Sequence, residues 1–317
     1  MMIRKAIVAG QFYPAGADAC REEIERYLVD AVRAYSAPAR RGRISKADYV
    51  GGLVPHAGWR CSGAVAVRVF AALSARCRPD VIVLFGGVHR YRGRPAAMFT
   101  SGQWETPLGP VEIDSALCAR LLECSPLIAD AASVHEDEHS LEVQMPFLRH
   151  VFPDAKVVPI MVPIDKIATE IGEAVGRAVS AYDKYALIVG TTDLTHYGPR
   201  YGFTPHGVGT EANAWAKDDN DRRFVELICS LKADELVPEA SNRRNACNSG
   251  AAAATVAACV SLGATRGVLL EHTTSYEVLS AEAYGEQDDS VGYAGIVFEK
   301  RRNGSGAPGS KQLTTDN

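Results

Sequence analysis

Residues 185–198 read Tyr-Ala-Leu-Ile-Val-Gly-Thr-Thr-Asp-Leu-Thr-His-Tyr-Gly. Ala186 to Val189 is a short apolar run, half of it β-branched, closed by Gly190. Such a run reads as a strand buried on both faces, in a sheet covered by helices on each side. Polarity changes at once beyond it, with Thr191, Thr192, Asp193, Thr195 and His196. Open α/β sheets hold their ligands in the crevice beyond the carboxyl ends of the strands. Asp193 and His196 stand in that place, where a carboxylate and an imidazole can move protons or hold a metal. The competing reading is a capped turn in which Asp193 satisfies backbone donors.

The same pattern recurs twice upstream. A strand over residues 49–54 ends in Pro55-His56-Ala57-Gly58-Trp59, and a strand over 81–85 ends in Gly86-Gly87-Val88-His89-Arg90. Outward from these, Asp18 opens a helix to about Tyr35, Ser62 a helix through Leu73, and Asp114 a helix to about Cys124. A pair of short strands is expected within 98–111. Ser140 is expected to cap a helix ending near His150. Strand 156–162, helix 166–181, loop and helix over 201–219, helix 221–231, an alanine-rich helix over 247–262, and strands 267–274 and 291–298 follow. The alternation predicts a single three-layer α/β/α sandwich around a mixed, mostly parallel sheet. The expected domain runs over residues 1–300. Residues 38–43 form a basic loop, and 301–317, rich in Gly and Ser, form a disordered tail. No internal repeat is visible.

Composition narrows the function. The chain has 317 residues, 47% hydrophobic and 23% charged, which is ordinary for a soluble protein with a sizeable core. A net charge of −4 offers no bulk attraction to nucleic acid. No apolar run approaches the roughly 18 residues of a membrane helix, and the N-terminal apolar stretch is too short for a secretory core. The eight cysteines include no Cys-x-x-Cys pair, so the expected compartment is the reducing cytoplasm, with most thiols buried.

One cysteine stands apart. Cys247, in Arg243-Arg244-Asn245-Ala246-Cys247-Asn248-Ser249-Gly250, lies just ahead of the alanine-rich helix. The helix dipole and the two arginines are expected to lower its pKa, giving the thiolate that binds a metal or attacks an electrophile. His56, His89, the Asp193/His196 pair and Cys247 thus form a candidate constellation from separate strand ends and a helix start. Each alone has a plainer reading, as a satisfied core histidine or an inert buried thiol. His135-Glu136-Asp137-Glu138-His139 fits the H-E-x-x-H zinc pattern, but that pattern works only on a helix, and here the helix is expected to start after His139. His139 and Glu142 are kept as proton-transfer or outer-shell groups.

At these residues the chain resembles the Memo family, named for a mediator of cell motility. The resemblance rests on Ala9-Gly10-Gln11-Phe12-Tyr13-Pro14, Val54-Pro55-His56-Ala57-Gly58-Trp59, Gly86-Gly87-Val88-His89, Thr106-Pro107-Leu108-Gly109, Asp137-Glu138-His139-Ser140-Leu141-Glu142, Asp193-Leu194-Thr195-His196-Tyr197-Gly198 and Cys247. It covers roughly residues 3 to 299. It implies the fold of the catalytic subunit of class III extradiol dioxygenases, which carry non-haem iron. It implies metal ligands at His56, His89 and Cys247, with Asp193 and His196 lining the pocket and His139 and His196 in the places of the dioxygenases' pocket histidines. Those enzymes use two histidines and a carboxylate. Here the third ligand would be a thiolate, which is softer and suits Cu(I), zinc or a different iron chemistry. The resemblance also implies a link to a radical-SAM protein, as in the AmmeMemoRadiSam system. Human-type members are regarded as signalling adaptors.

Three functions compete. The first is redox or oxygen-dependent chemistry on a small substrate with Fe(II), Cu or Zn, in which His196, Asp193 and His139 act beside the metal. The second is a non-catalytic adaptor that holds a peptide or small ligand in the same pocket. The third is metal-assisted hydrolysis, with His196 or His139 as base.

Overall fold

Asp48–Val54, Ala186–Thr191, Val81–Gly86 and Lys156–Met161 lie side by side, all parallel. The structure, a computed structural model, describes residues 2–36, 48–89, 93–281 and 288–301. These four strands are the centre of a mixed nine-stranded sheet. Beyond Lys156–Met161 come Ala96–Met98, antiparallel to it, and Ile128–Asp130. At the other side, Ser290–Lys300 pairs antiparallel with Asp48–Val54, with Ala264–Thr274 and with the two-residue strand His196–Tyr197. A small separate sheet joins Ile3–Arg4, Gln103–Trp104 and Val111–Glu112.

Two adjacent glycines show the three layers. On a strand, neighbouring residues point to opposite faces. A Cβ on Gly51 would meet Cys259 of the helix Ser249–Ser261, and one on Gly52 would meet Val69 of the helix Trp59–Ser74. The two helices therefore cover opposite faces. Every residue of Val81–Gly86 and of Ala186–Thr191 is buried, as the continuous apolar runs require. Ser249–Ser261 is almost wholly buried, and its small side chains let it approach Ile167–Ser180, where a Cβ on Gly172 would fall 2.2 Å from the Ala254 carbonyl oxygen.

The expected α/β sandwich and its mostly parallel sheet are present. Asp114 caps Ser115–Cys124 by accepting the Leu117 amide. Ser140 does not cap a helix. Its hydroxyl accepts the Gly87 amide, and the chain continues as a 3-10 turn, Glu142–Gln144, before Met145–Val151. Ala233–Arg243 is a helix that the sequence reading passed over, with Pro238 inside it at the loss of one donor. A π-helical turn, Ala216–Asp221, was not foreseen either. The basic loop at 38–43 and the tail beyond Arg301 lie outside the described residues.

Candidate metal centre

Three adjacent parallel strands deliver the chemistry to one place. Asp48–Val54 runs into His56, Ala186–Thr191 into Asp193, and Val81–Gly86 into His89. The fourth contributor is the loop before Ser249–Ser261, which brings in Cys247. The fifth is the loop after Ala132–His135, which brings in Glu138 and His139.

His56 is the hub. It is buried, and its Nδ1 shares a hydrogen bond with Thr191 Oγ1 at 2.9 Å. Its Nε2 faces Cys247 Sγ at 3.3 Å and the Asn248 amide nitrogen at 3.3 Å. Asp193 also approaches, Oδ2 4.0 Å from Nε2, while its Oδ1 accepts the His56 amide at 2.7 Å and the Ala57 amide at 3.3 Å. Two groups of ligand atoms, each within 4.8 Å of one another, share His56: His56–His89–His139 and His56–Asp193–Cys247.

His89 is oriented by Glu138. Its Nδ1 donates to Glu138 Oε1 at 2.9 Å and its amide to Oε2 at 3.0 Å, so Nε2 is free to face the centre. A carboxylate holding the far nitrogen of an imidazole is the usual outer support of a metal-ligating histidine. Glu138 also accepts the Ser140 amide. His139 stacks on His89, centroids 4.4 Å apart, and packs on Phe12.

The electrostatics follow from burial and from these pairs. Burial and the neighbouring imidazoles push His56 well below its ordinary value, and burial lowers His139. Burial opposes protonation of His89 as well, but the bond and charge of Glu138 outweigh it and raise its pKa. Glu138 is held far below the usual carboxylate range: burial raises it, and the hydrogen bonds and charge of His89 overcome that. Burial raises Asp193.

Two expectations change. Cys247 is not acidified. Burial, followed by the charge of Asp193, pushes its thiol up, although the Asp193 amide donates to the sulfur at 3.3 Å. Arg244 donates instead to the Tyr201 and Gly202 carbonyls. The Leu194 carbonyl sets the tautomer of His196, accepting from its Nδ1 at 3.1 Å. Glu142 stands outside the centre: Arg4, the Val8 amide and the Tyr13 hydroxyl all donate to it in a buried cluster. The H-E-x-x-H stretch is no zincin helix, as expected. His135 lies at the end of a 3-10 turn, with Nε2 on the Ala97 carbonyl, and only His139 reaches the centre.

Several contributors escaped the sequence reading. Glu138, Thr191 and Asn248 all touch a candidate ligand. Their only signal was that each lies within two residues of one already chosen. Asn220 and Asp221, at the end of the π-helical turn, hold Thr195 by its hydroxyl and amide and so fix the loop between Asp193 and His196.

The donor set of imidazoles, a carboxylate and a thiol fits a transition metal better than Mg²⁺ or Ca²⁺. Comparison with known proteins gives the same lineage along the whole fold. The family model described as Memo-like protein matches residues 4–297. A MEMO1 family protein of Pyrobaculum aerophilum is 33% identical over 305 residues, 94% of this chain and 99% of that protein. One from Methanopyrus kandleri is 33% identical over 304 residues, covering 94% and 100%. A solved structure of an uncharacterized protein from Escherichia coli K12 aligns with a TM-score of 0.47 and 13% identity, over 78% of this chain and 98% of that one, a likeness too slight to argue from. With the family model spanning nearly the whole chain and relatives matched end to end, this protein belongs to the Memo family.

Proposed function

We propose that this protein binds one transition metal at the carboxyl end of its sheet and uses it on a small substrate in redox or oxygen-dependent chemistry. The observation that supports this is His56. It belongs to both groups of ligand atoms, and its Nδ1 and that of His89 are each held from behind, leaving both Nε2 atoms directed inward. His56, His89 and Cys247 are the proposed ligands, and Fe(II), Cu or Zn the proposed ions. Bound there, such an ion would supply Lewis acidity or electron transfer.

The chain's own residues take the remaining roles. Glu138 orients His89. Asp193 fixes the backbone of His56 and faces its Nε2. His139, kept neutral by burial, and His196, with Nδ1–H committed to a carbonyl and Nε2 available, are placed to accept or return a proton. A cytoplasmic setting and a functional link to a radical-SAM protein complete the proposal.

The test is elemental analysis of anaerobically purified protein, beside His56→Ala and Cys247→Ala variants. The expected outcome is near-stoichiometric metal in the parent and about 10-fold or greater loss in both variants. Equal metal content in all three, with a peptide still bound, would favour the adaptor function instead.

A further inference from the structure

A cleft of about 550 Å³ opens beside the centre. Its lining includes His89, His196 and Cys247, the groups already described. It also includes Ser249, at the amino end of the 13-residue helix Ser249–Ser261. Three features there point to a ligand. The Ser249 side chain is fully buried, yet its hydroxyl has no hydrogen-bond partner among the described residues. Asn248, at the cap position, makes no side-chain bond to the helix and so leaves its first amides uncapped by that side chain. The first turn holds no acidic residue to offset the positive end of the helix dipole.

A buried hydroxyl is costly unless bonded. A helix amino end with unmatched polarity attracts an anion such as a carboxylate or a phosphate. The carboxylates near the cleft are already engaged: Asp193 with the His56 and Ala57 amides, and Glu138 with His89 and Ser140. Ile164, Tyr201, Ala240 and Ala246 make much of the remaining lining apolar, and Ser241 and Arg244 complete it, the Arg244 guanidinium donating to the Tyr201 and Gly202 carbonyls.

We infer that Ser249 and the amino end of its helix form a carboxylate subsite for a small molecule with an apolar body, lying in the cleft with its other end toward the candidate metal centre. This rests on reading the cleft as a small-molecule site, and it names the class of molecule. It requires no metal, so the two readings fail separately.

Benzoate, benzamide and inorganic phosphate are titrated into metal-free protein at pH 7 and followed by NMR. The expected result is saturable benzoate binding, with benzamide at least about 10-fold weaker, since a hydrogen bond to a charged group is worth about a factor of ten or more. Ser249→Ala should weaken benzoate by about the same factor, leave its zinc affinity unchanged, and melt as the parent does. Ser241→Ala, at the exposed rim, should change neither. Equal binding of benzoate and benzamide by the parent, which needs no variant, overturns the subsite. So does benzoate affinity indifferent to Ser249→Ala, or no binding by about 10 mM. Phosphate binding tighter than benzoate would overturn the carboxylate assignment. Loss of zinc binding in Cys247→Ala with benzoate binding intact would separate the two sites.

Discussion

At the scale of single residues, burial outweighs the helix dipole. Cys247 precedes a helix and follows two arginines, yet desolvation and Asp193 keep its thiol protonated when no metal is present. Cys124 is the exposed cysteine among the described residues. Brief iodoacetamide treatment of metal-free protein, mapped by mass spectrometry, should therefore label Cys124 before Cys247; the reverse order would mean that the dipole prevails. The His89–Glu138 pair makes a second case. The His89 pKa is raised, so its contribution to stability is fully present below the unfolded value of about 6.5 and is lost as pH rises through the folded value. The Glu138 pKa is depressed, so its contribution is present above the unfolded value of about 4.3 and is lost as pH falls through the folded value. The pair thus supports the metal-free fold most in mildly acidic solution. His89→Ala should lower the urea midpoint more at pH 6 than at pH 9. Glu138→Gln should weaken metal affinity by roughly 10- to 100-fold, read by competition with a chelator, because it removes the charge that orients His89.

At the scale of elements, the centre depends on how closely a strand end and a helix start approach. A Cβ on Gly87 would lie 1.7 Å from the Asn248 side chain, the same side chain that meets His56. Gly87→Ala must displace Asn248 from that position. We expect a loss of about 1–3 kcal/mol in urea unfolding, as for other overpacked sites. Asn248→Ala should relieve part of that loss, so the double variant should be more stable than the sum of the single losses allows. Additive losses would show that the clash is taken up elsewhere. The π-helical turn acts at this scale too. By ending in Asn220 and Asp221 it presents two consecutive side chains to Thr195, and π-helical turns are frequent at functional sites.

At the scale of the molecule, the N-terminal segment is tied to the centre through one buried cation. Arg4 pairs with Glu142, donates to the carbonyls of His135 and Glu138, and lies over the Trp104 ring. It therefore fastens the first strand to the loop that carries Glu138 and His139. Removing one partner of a buried pair leaves the other charge unmatched, at a cost of about 3–5 kcal/mol. Arg4→Ala should lose about that much stability in urea and should also loosen metal binding. Arg4→Ala with Glu142→Gln should recover part of the stability but not the metal affinity, because the carbonyls of His135 and Glu138 would still lack their donor. Full recovery of both would reduce Arg4 to a charge balance alone.

Local pattern determined much of this protein. Apolar runs such as 186–189 and 81–85, each ending in a polar break, carry their own strand signal, and the crevice rule places His56, His89 and Asp193 at one end of the sheet from sequence alone. What the tertiary structure decided were relations between segments distant in sequence. That Glu138 and not Asp193 orients a histidine, that Leu194 sets the His196 tautomer, and that Glu142 answers Arg4 depend on which loops meet across the sheet, and a single sequence records no such distances. The acidity of Cys247 was misjudged for the same reason. A helix start and two nearby arginines are visible in the sequence, whereas desolvation depends on everything that packs around the sulfur.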